Sequence, residues 1–190
     1  IVNKLGGMDG VDRFLRGELV VSAVNGLGRL MLRNLKLISD SIQISIYPFL
    51  KESFWKNDGL VRLWFSDNFR AWILTSIPEE ISGFECKLIQ VQLKKSMNDS
   101  EIRNELGNPE PFTISEFSAI VRHLVDQQPT GQQGTLLTNG FANIFYVELE
   151  DERVVAVRVL WDAGLHGWFF NALDLVDYRW LDVRCVFSRS

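Results

Sequence analysis

The sequence predicts an α+β fold: an antiparallel β meander in the C-terminal half, packed by an amphipathic helix, with a smaller mixed α/β N-terminal part. Three observations lead to this prediction. Four apolar segments follow one another between Phe141 and Phe187 with short connections. An amphipathic helix pattern precedes them, and short helix and strand patterns alternate in residues 1–107. Sequential strands with short connections favour α+β over a doubly wound parallel sheet.

The chain is long enough to fold around its own core. It has 190 residues, of which 46% are hydrophobic and 23% charged, as is ordinary for a globular protein. We expect a single domain, 1–190, with two subregions, 1–107 and 108–190, that meet at "NPEP". The two cysteines are too few for a disulfide scaffold or a four-cysteine zinc site.

Charge and hydropathy disfavour two classes of partner. The formal net charge is -4, and lysines and arginines are scattered rather than clustered. Binding to nucleic acid or to an anionic membrane surface uses clustered cations, so neither is expected. The chain has no apolar run of about 20 residues, so no transmembrane helix is predicted. Because the sequence begins at Ile1 rather than Met, it carries no information about a leader segment.

The first subregion opens with a predicted short helix over residues 9–17 and a strand over "ELVVSAV". Ile42, Ile44 and Ile46 alternate with polar residues, which predicts a half-buried strand. "FWKNDG" is typical of a turn, and "LVRLWF" predicts the next strand.

Two helices and one strand complete this subregion. Ser66 is the expected cap of a short helix through "DNFRAWIL". Along "FECKLIQVQL" the apolar positions change parity after Leu88, which predicts a strand with a bulge near Ile89. "NDSEIRNELG" predicts a two-turn helix that Gly107 ends.

The strongest helix pattern covers residues 114–128. Thr113 and Glu116 have the spacing of a capping box, in which each side chain satisfies a free backbone amide. The apolar face consists of Phe117, Ile120, Val121, Leu124 and Val125. Pro129 and Gly131 end the helix, and the polar segment "QQPTGQQG" predicts a flexible connection.

The four apolar segments after this connection predict the meander. They are "ANIFYVEL", "RVVAVRVLW", "WFFNAL" and "WLDVRCVFS". The second of them is apolar at both parities, which is typical of a central strand covered on both faces or of a strand with one face open to a partner. We favour the covered strand, because the helix of residues 114–128 supplies one cover and the N-terminal half the other.

The loop between the second and third of these strands holds one catalytic candidate, the pair Asp162 and His166. An aspartate beside a histidine fixes the imidazole tautomer in hydrolytic dyads. A dyad also needs a nucleophile or a metal, and the sequence has neither a Gly-x-Ser-x-Gly elbow nor a His-Glu-x-x-His helix. Two histidines are too few for a multi-histidine metal site, so we expect no metal. The favoured interpretation is a loop histidine between two aromatic strand ends.

Other reactive residue types fall in unreactive contexts. Cys86 and Cys185 each share one face of a strand with apolar residues, so both are expected to be buried structural thiols. His123 is expected on the exposed side of its helix, with Asp126 as a weak surface partner. The glycine clusters lack the spacing that cradles phosphate, so no cofactor is predicted.

The binding candidates come from aromatic residues and from the glycine-rich loop. Six tryptophans exceed what periodicity assigns to a core, and Trp161 and Trp168 stand at the edges of the candidate loop. Loops carry function disproportionately, so Gln132, Gln133 and Asn139 in "TGQQGTLLTNG" are the polar binding candidates.

Five segments resemble a family of uncharacterised bacterial hypothetical proteins with no assigned function. They are "KLGGMDGVDRFLRGEL", "LWFSDNFRAWIL", "EIRNELG", "GQQGTLLTNGFANIFYV" and "VFSR", of which "LLTNGFANIFYV" within the fourth is the most specific. This resemblance spans most of the chain and implies a bacterial, cytoplasmic protein. It transfers no catalytic residue.

The sequence therefore predicts a non-enzymatic protein-interaction or accessory module of a bacterial cell. Its partner is expected to be another protein or a second copy of the chain. The alternative is a small hydrolase-like enzyme that uses Asp162 and His166, within the loop of residues 162–167, as an acid–base pair.

Overall fold

The computed structural model describes residues 32–55, 59–175 and 179–190, and the predicted elements before residue 32 lie outside this part of the chain. The described residues belong to one compact unit, Leu32–Ser190. They form an α+β fold in which helices pack on a large mixed sheet, so the predicted fold class is confirmed.

The large sheet has eight strands, seven of which follow one another across it. In spatial order they are β1 (Leu35–Ile46), β5 (Phe84–Leu93), β12 (Cys185–Arg189), β8 (Asn143–Glu148), β9 (Val154–Asp162), β10 (Gly167–Asp174) and β3 (Leu63–Phe65). The eighth, β7 (Phe112–Thr113), also pairs with β8. Two small pairs lie apart: β2 (Phe49–Leu50) with β4 (Glu80–Ile81), and β6 (Met97–Asn98) with β11 (Arg179–Trp180).

Only three strands form the predicted meander. β8, β9 and β10 pair antiparallel in sequence order, as expected. The predicted fourth strand was placed wrongly, since β12 lies between β8, to which it is parallel, and β5, to which it is antiparallel. Cys185, Val186 and Phe187 are all buried, and an interior position covers both faces of such a strand.

The sheet mixes strands from both sides of the predicted subregion boundary at residue 108. β1, β5 and β3 come from the first part of the chain, and β7 to β10 and β12 come from the second. The two parts therefore share one sheet, because β12 returns from the C-terminus to pair with β5.

Among the described residues, four helical segments accompany the sheet: α1 (Lys51–Trp55), α2 (Asp67–Phe69) with a π-helical continuation (Arg70–Leu74), α3 (Asp99–Glu105) and α4 (Ile114–Asp126). The predicted caps are confirmed: Ser66 accepts from the Phe69 amide, and Thr113 and Glu116 form the capping box of α4. The turn predicted at "FWKNDG" is wrong at its start, because its first two residues end α1, where Phe54 is buried in the core.

Apolar cores cover both faces of the sheet. On one face α4 packs through Phe117 against Phe145, and on the other α3 packs through Ile102. β9 has Val157 in the first core and Ala156 in the second, so the prediction of a strand covered on both faces is confirmed.

The bulge predicted in β5 lies instead in β1. The pairing of the two strands shifts between Leu37 and Ser39 and again between Ser39 and Ile42. From Leu88 to Val91 every residue of β5 is buried, because both faces of the strand are covered. In such a strand the parity of apolar residues does not mark a bulge.

Candidate functional site

The loop between β9 and β10 is a tight turn organised by Asp162. Its Oδ1 accepts hydrogen bonds from the backbone amides of Gly164 and Leu165, at 2.8 Å and 3.0 Å. This is the usual way in which an aspartate stabilises a turn through its own side chain. His166 follows with φ of 48°, a left-handed conformation in which histidine is enriched relative to most residues.

The two catalytic candidates do not form a pair. Both lie in the described segment 59–175, and within it no hydrogen bond joins the Asp162 carboxylate to the His166 ring. The carboxylate is held by the turn amides, whereas His166 is exposed and lines a cavity that does not include Asp162. The arrangement stabilises a turn and presents an imidazole to solvent.

The cavity beside His166 has a volume of about 210 Å3 and is built from three segments of the chain. Its lining residues are Gly59, Leu60, Arg62, Pro129, Thr130, Trp161 and His166. Cavities that bury drug-sized ligands start at about 300 Å3, so this one has room for a single side chain or a similarly small group.

Gly167 brings the segment before β3 close to His166. A Cβ at this glycine would lie 2.8 Å from the carbonyl oxygen of Arg62 and 2.9 Å from Nε1 of Trp64. The next residue, Trp168, donates its backbone amide to the same Arg62 oxygen at 2.8 Å. The absence of a side chain at Gly167 therefore places Arg62 and Trp64 against the turn that carries His166.

Around the cavity lies a surface of apolar and basic residues that we call the hairpin patch: Leu60, Arg62, Trp64, Leu165 and His166. The three apolar side chains are 67%, 43% and 40% exposed, respectively. No described carboxylate forms an ion pair with the Arg62 guanidinium, and no described group hydrogen-bonds to the His166 ring. The patch therefore combines exposed hydrophobic area with a cation that no described carboxylate pairs with.

The opposite wall of the cavity is formed by Pro129 and Thr130, which belong to the segment 128–137 that Gln128 orders. This glutamine is buried, and its Nε2 donates to the carbonyl oxygens of Gln132 and Leu136 at 2.8 Å and 3.0 Å. Its Oε1 accepts from the Leu136 amide at 2.8 Å. The sequence predicts flexibility for the first part of this segment, but the buried amide links its backbone into a compact loop.

Two further buried amides attach the same segment to the sheet. Asn143 accepts from the Leu137 amide at 2.8 Å and donates to the carbonyl oxygens of Leu137 and Val159, each at 3.1 Å. Gln90 donates to the Thr135 carbonyl oxygen at 2.9 Å. Sequence analysis missed these residues. An amide side chain at a core-facing strand position does indicate a structural hydrogen-bonding role, because a buried amide needs hydrogen-bond partners.

The two tryptophans at the loop edges have different surroundings. Trp168 is fully buried, and its Nε1 donates to the Gln128 carbonyl oxygen at 3.1 Å. Trp161 is half-buried and lines the cavity. Gly131, at φ of 71°, approaches it so closely that a Cβ would lie 2.2 Å from the indole ring. Trp168 therefore holds the loop in place, and Trp161 contributes to the wall of the cavity.

The polar binding candidates lie outside the cavity lining. Gln132 accepts from the backbone amide and hydroxyl of Thr130, both at 3.1 Å, so it supports the loop from within. Asn139 accepts from the Phe141 amide at 3.2 Å and forms a turn. Gln133 is exposed. Of the predicted residues, the structure brings His166 and Trp161 together and adds Leu60, Arg62 and Thr130.

A second cavity, of about 230 Å3, contains the other histidine, His123, beside Arg122 and Asp126. The weak surface pair predicted between His123 and Asp126 is wrong, because the Arg122 guanidinium bonds to the Asp126 carboxylate at 2.8 Å. Arg122 also donates to the carbonyl oxygen of Ser53 at 2.8 Å. The guanidinium is therefore occupied in joining α4 to α1.

Four titratable groups in or against the cores have raised pKa values: Cys86, Asp99, Tyr146 and Cys185. Burial raises the pKa of the Cys185 thiol to about 11, and burial followed by the charge of Glu116 raises that of Cys86. Burial also raises the pKa of Asp99, whose Oδ1 accepts from Tyr146 at 2.9 Å and Trp180 at 2.7 Å. The protonated thiol is therefore favoured at both cysteines. Cys185 is buried as predicted, but the predicted burial of Cys86 is wrong in part, because this residue is only half-buried.

Within residues 32–55, 59–175 and 179–190, no cluster of three or more histidine, cysteine, aspartate or glutamate side chains is arranged to hold a metal ion. In the same part of the chain, no helix combines the length and apolar character needed to cross a membrane. Comparison with protein-family models, with curated proteins and with solved structures found no match to this chain.

Proposed function

We propose that this protein is a non-catalytic interaction module that binds another protein through the hairpin patch. The observation that carries the proposal is the grouping of three exposed apolar side chains, Leu60, Trp64 and Leu165, with Arg62, whose guanidinium pairs with no carboxylate of the described residues. Tryptophan and arginine are the residue types most enriched among those that dominate binding energy at protein interfaces. The bacterial, cytoplasmic setting stays a prediction from the resemblance.

The rigid backbone that carries the hairpin patch favours binding. Gly167 places Trp64 and Arg62 against the turn, and Gln128 fixes the loop that forms the far wall of the cavity. A surface held by rigid backbone loses little conformational entropy when a partner binds, so more of the contact energy appears as affinity.

The geometry of the turn supports the hydrolase alternative less than it supports an interaction module. The Asp162 carboxylate is held by two backbone amides, and within the described residues it has no hydrogen bond to His166. A general base needs its orienting partner within hydrogen-bond reach. The cavity of about 210 Å3 also suits one side chain better than a substrate with several groups.

The proposal is tested by selection from a phage-displayed library of random 12-residue peptides, followed by affinity measurement on the enriched peptides. We expect Trp64→Ala to weaken their binding by at least about tenfold, because an anchoring tryptophan contributes on the order of 2 kcal/mol or more. Leu181→Ala is the matched control, since this leucine is 57% exposed in a turn outside the patch. Thermal unfolding of both variants checks that each remains folded.

Three outcomes would contradict the proposal. Selection would enrich no peptide, Trp64→Ala would bind the enriched peptides as tightly as the wild type, or Leu181→Ala would weaken binding as much as Trp64→Ala. The hydrolase alternative would gain support if an ester or amide substrate were hydrolysed by the wild type and not by His166→Ala.

A further inference from the structure

We infer that the partner segment recognised by the hairpin patch is acidic and apolar: a carboxylate side chain pairs with Arg62, and a neighbouring large apolar side chain enters the cavity beside Trp161. This inference rests on the proposed function and specifies the chemistry of its partner. It combines the pairing state of the arginines, the lining of the cavity and the charge of the surrounding turn.

Arg62 is one of six described arginines without an ion pair to a described carboxylate, and three of the others, Arg70, Arg103 and Arg184, lie over aromatic rings instead. Four other arginines each form an ion pair with a carboxylate: Arg122 with Asp126, Arg153 with Asp174, Arg179 with Glu101 and Arg189 with Glu116. The Arg62 guanidinium has no such partner within residues 32–55, 59–175 and 179–190. A guanidinium presents a planar set of donors that matches a carboxylate, so a free one at an apolar surface suits an acidic side chain.

The wall of the cavity next to Arg62 is about half apolar and half polar. Leu60, Pro129 and Trp161 contribute carbon surface, and the Thr130 hydroxyl already donates to the Gln132 side chain at 3.1 Å. With a volume of about 210 Å3, it has room for one side chain. An apolar side chain of the partner contacts the carbon surface of this wall, and the partner's carboxylate satisfies the polar groups that Arg62 and His166 contribute.

The carboxylate of the same turn does not neutralise Arg62. Asp162 lies outside the cavity lining, and its Oδ1 accepts from the amides of Gly164 and Leu165. The exposed ring of His166 lies on the cavity side and offers a further nitrogen for hydrogen bonding. The local surface therefore favours an anionic group although the whole chain has a net charge of -4.

The positive charge of Arg62 argues against a second copy of this chain as the occupant of the hairpin patch. In a two-fold symmetric dimer each patch contacts the same patch of its partner. The guanidinium of Arg62 in one copy would then lie near that of the other, with no described carboxylate of the patch to separate them. Like charges brought together at an interface oppose association, so an acidic segment of a different protein fits better.

The test sequences the random 12-residue peptides that the wild type enriches and measures their affinity for variants. We expect Asp or Glu within a few positions of Leu, Phe or Trp, a loss of about tenfold or more with Arg62→Gln, and weaker binding as salt rises. Arg62→Glu should enrich Lys and Arg peptides instead. Arg33→Gln is the control, because Arg33 is an exposed arginine just before β1, at the opposite end of the sheet order from β3.

The outcomes separate this inference from the proposed function. If binding depends on Trp64 but the peptides are neutral and Arg62→Gln binds them like the wild type, the acidic partner is wrong and the interaction module stands. An equal loss with Arg33→Gln also overturns the inference, because charge anywhere on the surface would then suffice. If no enriched peptide depends on Trp64, both are wrong. Sedimentation at micromolar concentration should give a monomer, and a dimer abolished by Trp64→Ala would replace the acidic partner with a second copy.

Discussion

Trp161 and Trp168 stand directly opposite each other on the antiparallel strands β9 and β10, with ring centroids 5.6 Å apart and planes at 72°. This edge-to-face arrangement is favourable for aromatic rings. Trp168 is buried and donates a hydrogen bond to the Gln128 carbonyl oxygen, so it holds in place Trp161, which lines the cavity. The hairpin patch is thereby connected to the core of the sheet, and the following predictions test that support.

Replacement of Gly131 by alanine should disturb the wall of the cavity. The new Cβ meets the Trp161 ring at 2.2 Å, in addition to the strain of a φ of 71°. Gly140→Ala is the matched control, because Gly140 has a φ of 82° and nothing within 4 Å of its Cβ position. We expect the control to lose about 1–2 kcal/mol of unfolding free energy from backbone strain. Gly131→Ala should lose about 1–3 kcal/mol more from overpacking.

Urea denaturation of the two glycine variants measures this difference, and tryptophan fluorescence reports on the ring environment. Equal losses in the two variants would mean that Trp161 moves aside without cost. In that case the close approach of Gly131 does not define the wall.

Gln128→Ala should destabilise the protein through its loop. The change removes the partners of the Leu136 amide and of the carbonyl oxygens of Gln132 and Leu136. Buried polar groups left without partners cost about 1–3 kcal/mol, so we expect a loss of that order in unfolding free energy. The exposed Gln133 in the same loop provides the control, and Gln133→Ala should stay within about 0.5 kcal/mol of the wild type.

Amide hydrogen exchange locates the effect of Gln128→Ala. Exchange over residues 130–137 should accelerate, whereas exchange in α3 should not change. Unchanged protection of the loop would show that the other two buried amides are sufficient to order it.

Asp99 should make stability depend on pH in the direction opposite to that of an ordinary ion-paired carboxylate. Burial raises its pKa in the folded state, so above about pH 4, the usual pKa of an aspartate, the folded protein holds a proton that the unfolded chain releases. Stability therefore falls as pH rises through this window, until the folded group also ionises. Asp99→Asn removes the titration, so its stability relative to the wild type should increase with pH.

Tyr146→Phe gives the complementary test for the same carboxylate. It removes a donor to Asp99 Oδ1, and a charged carboxylate needs that donor more than a protonated one. We expect a loss of about 1–3 kcal/mol that is larger at pH 7 than at pH 4. Denaturation curves for both variants between these pH values check the predictions, and parallel pH profiles for wild type and Asp99→Asn would refute the first.

Substitution of Val183 by a residue that tolerates its backbone conformation should stabilise the folded protein. It is a β-branched residue with φ of 63°, a left-handed conformation that costs about 1–2 kcal/mol for L-residues. Its amide donates to the Leu93 carbonyl oxygen at 2.9 Å, a contact that any non-proline residue keeps. Val183→Asn should therefore raise the unfolding free energy by about 1 kcal/mol, because asparagine tolerates this conformation.

Leu181→Asn, in the same exposed turn, is the control for Val183→Asn and should change stability little. Thermal or urea unfolding of the two variants measures the contrast. If Val183→Asn is neutral or destabilising, the backbone of this turn is not strained by valine.

Local signals were sufficient for most elements of the second subregion. The capping box of Thr113 and Glu116 and the apolar face of α4 depend only on spacing along one helix, and both are confirmed. The position of β12 was not predictable in this way, because its neighbours β5 and β8 are distant in sequence. Alternation identifies a strand, but hydrogen bonding to other strands determines its place in a sheet.

The candidate site likewise contains residues that local sequence patterns identify and residues that only the pairing of distant strands brings together. Sequence analysis selected His166 and Trp161, which lie at the cavity, because they belong to one short loop. It missed Arg62 and Trp64, which reach the turn only because β3 pairs with β10 and Gly167 has no side chain. It also assigned binding roles to Trp168 and Gln132, whose polar side-chain groups the structure uses within the protein.

The sequence by itself determined the α+β class, the caps of the helices and the burial of β9 on both faces, since these follow from propensity and periodicity over a few residues. Tertiary structure decided the strand order, the use of Asp162 as a turn residue and the meeting of Arg62 with His166. The physical reason is that a side chain's partners are set by which distant segments pack together to bury the core, and local pattern contains no information about that choice.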